Sequence, residues 1–309
     1  MKTKTILILL LAFSYLPLSA ESYLILNYDN DMVFNTDYYY SQGIGISYRS
    51  HSLNPIGNKL FPELFKEKIT QISLNHKLFT PTNITGDSLS DFDRPYCGLL
   101  FFDIRQEQIE KNSNFKINFD ILFGVIGPLA GGFEVQSFIH RQTENAPQPK
   151  GWENQISNGI ILDGALQIEH LAKLTTTIEN ISTVAAEIGT LYNNVSIGSK
   201  IRMGFLDEYF DSNDMTLGKE DRDWLAFIVT NAIIKVNFYN STLLGNFFFE
   251  KSPMVLPYKD MKLLTVNLSA DMVLAYKSSR MELGCVYASR EFDGGRNHAW
   301  FTFKYIQKI

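Results

Sequence analysis

Residues Asn27 to Arg49 read NYDNDMVFNTDYYYSQGIGISYR. On the far flank Ile44, Ile46 and Tyr48 alternate with Gly43, Gly45, Ser47 and Arg49. This is the period-two pattern of a strand with one apolar and one polar face. On the near flank Leu24, Leu26 and Tyr28 alternate with Asn27, Asp29 and Asp31. A hairpin built this way carries the carboxylates of Asp29, Asp31 and Asp37 and the hydroxyl of Ser41 to one rim. Asp, Asn and Tyr are also ordinary hairpin-loop residues, so the stretch taken alone reads first as a polar hairpin loop, and the rest of the chain changes that balance.

The same alternation recurs through the chain. Leu100, Phe102 and Ile104 face away from Asp103, Arg105 and Glu107, and the run from Phe115 to Val125 is interleaved with Lys116, Asn118 and Asp120. Leu264 to Tyr276, Met281 to Arg290 and Ala299 to Tyr305 close the chain in the same style. The longest break is Gly127 to Asn158, read as irregular loop. The count is about twelve strands, each with an apolar face of roughly 9–11 residues, long enough to cross a bilayer at a tilt. A soluble sandwich uses shorter strands of roughly 5–6 residues and buries its apolar face. The fold class expected is therefore all-β, a transmembrane antiparallel barrel, whose closure removes the sheet edges that lipid does not tolerate.

Composition agrees. There are 23 Phe and 15 Tyr against 10 Pro, and 28 Lys+Arg against 33 Asp+Glu. No basic stripe is present, which argues against nucleic acid as a partner. Residues 1–20 have the form of an export signal, with Lys2 and Lys4, an apolar core from Ile6 to Leu18, and Leu18-Ser19-Ala20 as the cleavage site. Residues 21–309 are then one outer-membrane barrel, expected to act as a monomer. Cys97 and Cys285 sit on opposite strand faces by parity, so two free thiols are expected rather than a disulfide.

Strand direction supplies a test of the site. With both termini on the inner side, odd strands run outward and even strands return. Asn30, Asp31, Ser41, Arg94, Tyr96, Gln136, His140 and Glu291 then all fall at the outer rim. Four of the five histidines (His51, His76, His170 and His298) read as hydrogen-bonding surface or lumen residues. His140 differs because it lies in FEVQSFIHRQ with Glu134, Gln136 and Arg141. Its near-neutral titration suits a general base that takes a proton from water. Asn30, Asp31 and the nearby acids are hard oxygen donors that suit Ca2+ over zinc. A hard cation polarises an ester carbonyl, so the set points to an ester hydrolase.

At this point the sequence resembles a known family. N-x-D-N-D (Asn27 to Asp31), T-D-x-Y-Y-[ST]-x-G (Thr36 to Gly43), D-R-P-Y-x-G (Asp93 to Gly98), G-x-x-V-Q-x-x-x-H with P-x-G-W-x-x-Q (Gly132 to His140, Pro149 to Gln155) and R-E-F (Arg290 to Phe292) are similar, in that order, to outer-membrane lipid A deacylases of the LpxR type. The resemblance covers nearly the whole mature chain. It implies a twelve-stranded barrel that removes the 3′-linked acyloxyacyl group of lipid A in a Ca2+-dependent reaction, with lipopolysaccharide and outer-membrane lipids as partners. By motif, it places Asn30 and Asp31 at the cation, Ser41 in its polar surroundings, His140 as the base with Gln136 beside it, and Arg94 on anionic substrate. Glu144 is assigned as the acid expected after the histidine. A lysine for substrate phosphate has no counterpart near Asp93 and Arg94. Ser41 as a nucleophile lacks an accompanying Ser-His-acid motif.

Plainer readings stand beside these. Asn30 and Asp31 cap a hairpin, and Arg94 pairs with Asp93 or Asp103. The competing functions are an outer-membrane phospholipase and a non-enzymatic barrel or porin, although an aqueous channel needs roughly 16–18 strands.

Overall fold

The computed structural model describes residues 22–34, 36–86, 88–144, 146–206, 209, 224–246, 248 and 251–309. The export signal read at residues 1–20 lies outside the described residues, as does most of the charged connection 207–223. The strands are β1 (Ser22–Asn30), β2 (Tyr39–Ser50), β3 (Glu67–Thr80), β4 (Cys97–Glu110), β5 (Phe115–Ile126), β6 (Gly159–Lys173), β7 (Ile178–Gly189), β8 (Tyr192–Phe205), β9 (Trp224–Asn240), β10 (Leu264–Tyr276), β11 (Ser279–Ala288) and β12 (His298–Lys308). Each pairs antiparallel with its neighbours in sequence, and β1 pairs with β12 to close a twelve-stranded barrel. Among the described residues no helix is long and apolar enough to cross a membrane. The crossings are made by strands.

Parity sorts the wall as the alternation requires. Leu26, Ile44, Phe123, Ile160, Leu162 and Ile197 stand exposed on the outside. The interior is filled, in two zones. Near the outer end Phe79, Cys97, Leu99, Phe101, Ile126, Ile156, Ile161 and Leu191 form an apolar cluster. Farther in, charges of opposite sign are paired across the lumen. Arg49 meets Glu107 at 2.6 Å, Lys116 meets Glu169 at 3.1 Å, and Arg202 meets Glu179 at 2.8 Å. Buried charges persist only when paired in this way. Cavities of about 740 and 460 Å³ remain between these layers. Both cysteines are free, Cys97 inside the apolar cluster and Cys285 exposed on the outer face.

Among the described residues three short α-helices decorate the barrel: α1 (Asn54–Leu60), α2 (Gly132–Gln142) and α3 (Ser241–Leu244). The stretch 127–158, expected to be irregular, therefore holds the longest helix among the described residues. Gly131 enters it in the left-handed region at φ 75°, and its backbone carbonyl starts the helix by accepting the Val135 N–H at 3.1 Å. Gly132 sits so close to Trp152 that a Cβ would lie 2.5 Å from the indole ring. Only glycine admits that approach.

Candidate active site

The β1–β2 hairpin is shaped by two local departures from ideal strand. The register between β2 and β3 shifts between Tyr40 and Gln42, so Ser41 is the extra residue of a bulge. Tyr39 has φ 62°, a left-handed conformation that a side chain seldom adopts. Both are held by outer loops distant in sequence. The Tyr39 hydroxyl donates to Asp93 Oδ2 at 2.9 Å and accepts the Arg296 N–H at 3.0 Å. His298 Nε2 donates to the Tyr40 carbonyl at 2.9 Å. That bond fixes the tautomer and leaves Nδ1 as a buried lone pair without a partner.

Between the strands, Asp31 organises the turn. Its N–H donates to the Ser41 carbonyl at 3.3 Å, and its own carbonyl accepts the Phe34 N–H at 2.9 Å and the Thr36 hydroxyl at 3.1 Å. Carboxylate Oδ2 accepts the Tyr38 N–H at 3.0 Å and lies 4.0 Å from His298 Nε2. The Asn30 amide donates to the Ser41 carbonyl at 3.3 Å, while its oxygen accepts the Met32 N–H at 2.8 Å. The hairpin-capping reading of Asn30 and Asp31 is thus present in the hydrogen bonds. Asp31 nevertheless carries more than a cap needs. It is buried, and burial, with the charge of Asp37 adding to it, pushes its carboxyl up to about 8. Such a group gains from a cation. Ser41 Oγ, buried on the bulge whose carbonyl accepts the Asp31 N–H, has no hydrogen-bond partner.

Helix α2 brings the second half. Gln136 and His140 lie four residues apart on one face, and both reach Asp37 of the hairpin. Gln136 Nε2 donates to Asp37 Oδ1 at 3.3 Å, and His140 Nε2 lies 3.1 Å from Asp37 Oδ2. Trp152 Nε1 donates to Gln136 Oε1 at 2.7 Å, which fixes the orientation of that amide. His140 Nδ1 donates to the Pro147 carbonyl at 2.5 Å. The bond to Asp37 is the main reason the imidazole titrates above its ordinary value, with the Pro147 carbonyl adding to it. The ring can therefore hold a proton against two acceptors and return it.

Gln136, His140 and the Asp31 turn converge, joined by Asp37. Asp37 was grouped with the rim carboxylates but absent from the candidate ligands and catalysts; its place in T-D-x-Y-Y next to Ser41 was the available signal. Asp29 parts from them, because the Tyr40 hydroxyl donates to it at 2.6 Å and both line the lumen cavity. Arg94 is buried without exposed surface. Its guanidinium bonds Glu291 at 3.3 Å and the Thr242 hydroxyl and carbonyl at 3.0 and 3.3 Å, and it stacks 4.9 Å over Phe79. It joins three outer loops and presents nothing to a ligand in this arrangement. Glu144 is exposed in the turn after α2. Tyr39, Trp152 and His298 were missed as site residues; each acts through a contact that local pattern does not encode.

Hard oxygens match a Ca2+ ion. Asp31, Asp37, Asn30 and Ser41 are oxygen donors, and the buried Asp31 carboxyl, raised by burial, fits such a cation. Among the described residues, no three His, Cys, Asp or Glu side chains gather as a complete metal cage, so amide, hydroxyl or backbone oxygens and substrate would have to complete it.

A family model described as outer membrane protein LpxR matches residues 6–306. The solved structure of LpxR from Salmonella typhimurium has a TM-score of 0.74 at 15% identity, covering 93% of this chain and 100% of that one. At that identity the likeness speaks for the fold. More distant are the β domain of the Bordetella autotransporter BrkA, with a TM-score of 0.44 at 8% identity covering 94% and 100%, and the KdgM porin, at 0.42 and 6% covering 93% and 99%. No curated protein sequence matches the chain.

Proposed function

The chain belongs to the LpxR family of outer-membrane proteins, and from that premise we propose that it is a Ca2+-dependent lipid A 3′-O-deacylase. The observation that carries the chemistry is the His140–Asp37–Gln136–Trp152 chain of hydrogen bonds closing against the Asp31 turn. Exported by a cleaved signal, it would remove the 3′-linked acyloxyacyl group of lipopolysaccharide in the outer membrane.

His140 is the base. With Nδ1–H donating to the Pro147 carbonyl, Nε2 is the nitrogen that takes a proton from water once it is released from Asp37 Oδ2, which lies 3.1 Å away. The water oxygen adds to the ester carbonyl carbon, the tetrahedral species collapses, and His140 returns the proton to the departing sugar oxygen. The products are the free acyloxyacyl acid and a sugar hydroxyl. Asp37 orients the imidazole and favours its charged form, and Gln136, held by Trp152, positions Asp37. Asn30 and Asp31, with Asp37 and Ser41 near them, would hold the Ca2+, which when bound supplies a positive charge to the developing oxyanion. Water is favoured over Ser41 as nucleophile because His140 is engaged by Asp37 and Pro147, whereas Ser41 Oγ has no partner. Arg94, buried as it is, serves by fixing the loops around the site.

The porin reading loses support from the filled interior, where the apolar cluster and the paired charges occupy the lumen. Mass spectrometry of lipid A from cells expressing wild type or His140→Ala, with calcium or with chelator, tests the proposal. Loss of one acyloxyacyl unit is expected only for wild type with calcium. An unchanged lipid A from folded wild type in calcium refutes it, and acyl release from glycerophospholipid instead would assign a phospholipase.

A further inference from the structure

The connection from β2 to β3 turns back over the outside of the barrel at its inner end. On β4, Asp103, Arg105 and Glu107 line the lumen cavities, so Gln106 and Gln108 carry the outward parity of the lipid-facing wall. Thr70 shares that parity beside the lumen-lining Gln71, as does Phe119 between Asn118 and Asp120. Polar side chains are the exception on such a wall, yet Thr70, Gln106 and Gln108 are fully buried. What covers them is the stretch 54–66, with helix α1 at its start. A Cβ built on Gly57 would lie 2.6 Å from the Thr70 hydroxyl oxygen, so α1 approaches the wall as closely as a glycine permits. Phe61 stacks on Phe119, with ring centroids 5.7 Å apart.

These contacts satisfy the backbone of a segment that belongs to no strand. Gln108 Oε1 accepts the Leu64 and Phe65 N–H groups at 2.9 and 3.0 Å, and its Nε2 donates to the Pro62 carbonyl at 2.7 Å and to Gln106 Oε1 at 2.8 Å. Gln106 Nε2 donates to Asn58 Oδ1 at 3.2 Å. Asn54 accepts the Thr70 hydroxyl at 3.0 Å and donates to the Lys68 carbonyl at 2.8 Å. In water such a network is dispensable; against hydrocarbon it is required, because lipid offers N–H and C=O groups no partner. At about 3.3 Å per residue and a tilt of about 40°, Gln106 lies about 10 Å in from the inner end of β4. A 14-residue strand overhangs an apolar band about 25 Å tall by about 5 Å at each end, so the segment sits level with the inner edge of the hydrocarbon. Away from the wall, Ile56 and Leu60, one turn apart on α1, and Leu64 are 41%, 45% and 55% exposed. Lys59 and Lys66 stand exposed beside them.

We propose that the segment 54–66 anchors the barrel in the inner, phospholipid leaflet of the outer membrane. Ile56, Leu60 and Leu64 enter the acyl layer, and Lys59 and Lys66 reach the headgroup phosphates. The inference rests on the outer-membrane assignment and is independent of the deacylase reading. The occupant of this surface is phospholipid, because the residues that hold the segment, Thr70, Gln106 and Gln108, belong to the wall that meets lipid, and because apolar side chains edged by lysines match acyl chains edged by phosphates.

The experiment uses the full chain carrying Leu60→Trp, reconstituted in vesicles of phosphatidylcholine and phosphatidylglycerol with bromine on the acyl chains. Emission is taken as the difference from wild type, which has three tryptophans. The added tryptophan is expected to emit to the blue, to lose about half its intensity or more to the acyl bromines, and to resist acrylamide. Quenching by acrylamide without quenching by bromine would place the segment in water, and resistance to both would place it under protein, such as a second copy. Either overturns the proposal. Adding Lys59→Glu and Lys66→Glu should weaken the bromine quenching where phosphatidylglycerol is present and leave it unchanged in phosphatidylcholine alone. Equal quenching in the two lipids overturns the headgroup contact. Gln108→Ala tests the attachment to the wall. In the bilayer the Leu64 and Phe65 amides, having lost their acceptor, are expected to exchange hydrogen about tenfold faster while β6 to β9 keep wild-type rates. Unchanged exchange at these two amides overturns the role given to Gln108.

Discussion

Replacing Tyr39 with Phe isolates one hydroxyl that holds the site in shape. The ring stays, with its edge contacts to Tyr38 at 4.9 Å and Phe292 at 5.3 Å, and so does the left-handed backbone at φ 62°. What is lost is the donation to Asp93 Oδ2 and the acceptance from the Arg296 N–H. The first involves a carboxylate and contributes about 1.5–3 kcal/mol, the second about 1 kcal/mol. Asp93 keeps the Thr82 N–H on its other oxygen at 2.9 Å, and water will recover part of the loss, which leaves a cost of about 2–3 kcal/mol. The backbone strain of a non-glycine residue in this region, about 1–2 kcal/mol, then has less to oppose it. Local opening of the hairpin should become about 30- to 150-fold more frequent, at 1.4 kcal/mol per factor of ten. Hydrogen exchange with mass spectrometry checks this. Amides of residues 36–41 and 293–298 should exchange faster by that factor, while those of β6 to β9 keep wild-type rates because their ladders are untouched. An acceleration below about threefold, or one spread over the whole barrel, would refute the claim that this hydroxyl clamps the hairpin to the sixth outer loop.

Asp37→Asn removes the partner that raises the His140 pKa. The sign follows from linkage: the Asp37 contribution is complete below the unfolded histidine value of about 6.5 and is lost as pH rises through the higher folded value. A base must be neutral to act, so the rising limb of kcat/KM against pH should move to lower pH in Asp37→Asn, and an unmoved limb contradicts the pairing. Gly132→Ala would drive a methyl to 2.5 Å from Trp152, whose ring is backed by Tyr96 at 4.8 Å. A destabilisation of about 1–3 kcal/mol in urea unfolding and a loss of deacylation are expected, since the Trp152–Gln136 bond must shift. Arg94→Ala leaves a fully buried site without its guanidinium and should cost about 2–4 kcal/mol, measured the same way. Exposed Glu144→Gln should stay within about 0.5 kcal/mol, and a comparable loss there would show that the turn after α2 is tied into the site.

Residue parity is a local property, and it carried most of the fold. Ile44, Ile46 and Tyr48 alternate with their polar neighbours because successive strand side chains point to opposite faces, so strand number, closure and the outer rim could be read from neighbouring residues alone. The rim placement of Asp31, Gln136 and His140 followed from strand direction. The helix Gly132–Gln142 was hidden because glycines and prolines flank it and it spans only 11 residues. Which rim groups touch was a different matter. Gln136 meets Asp37 across 99 positions and Arg296 meets Tyr39 across 257, contacts set by how loops pack on a closed wall and not by any periodicity. The bulge at Ser41, the left-handed Tyr39 and the burial of Arg94 all arise at that level. Consecutive residues determined the barrel and its polar rim, since hydrophobic alternation is written in the chain itself; the pairing of Asp37 with His140 was decided by packing between segments that only the closed barrel brings together.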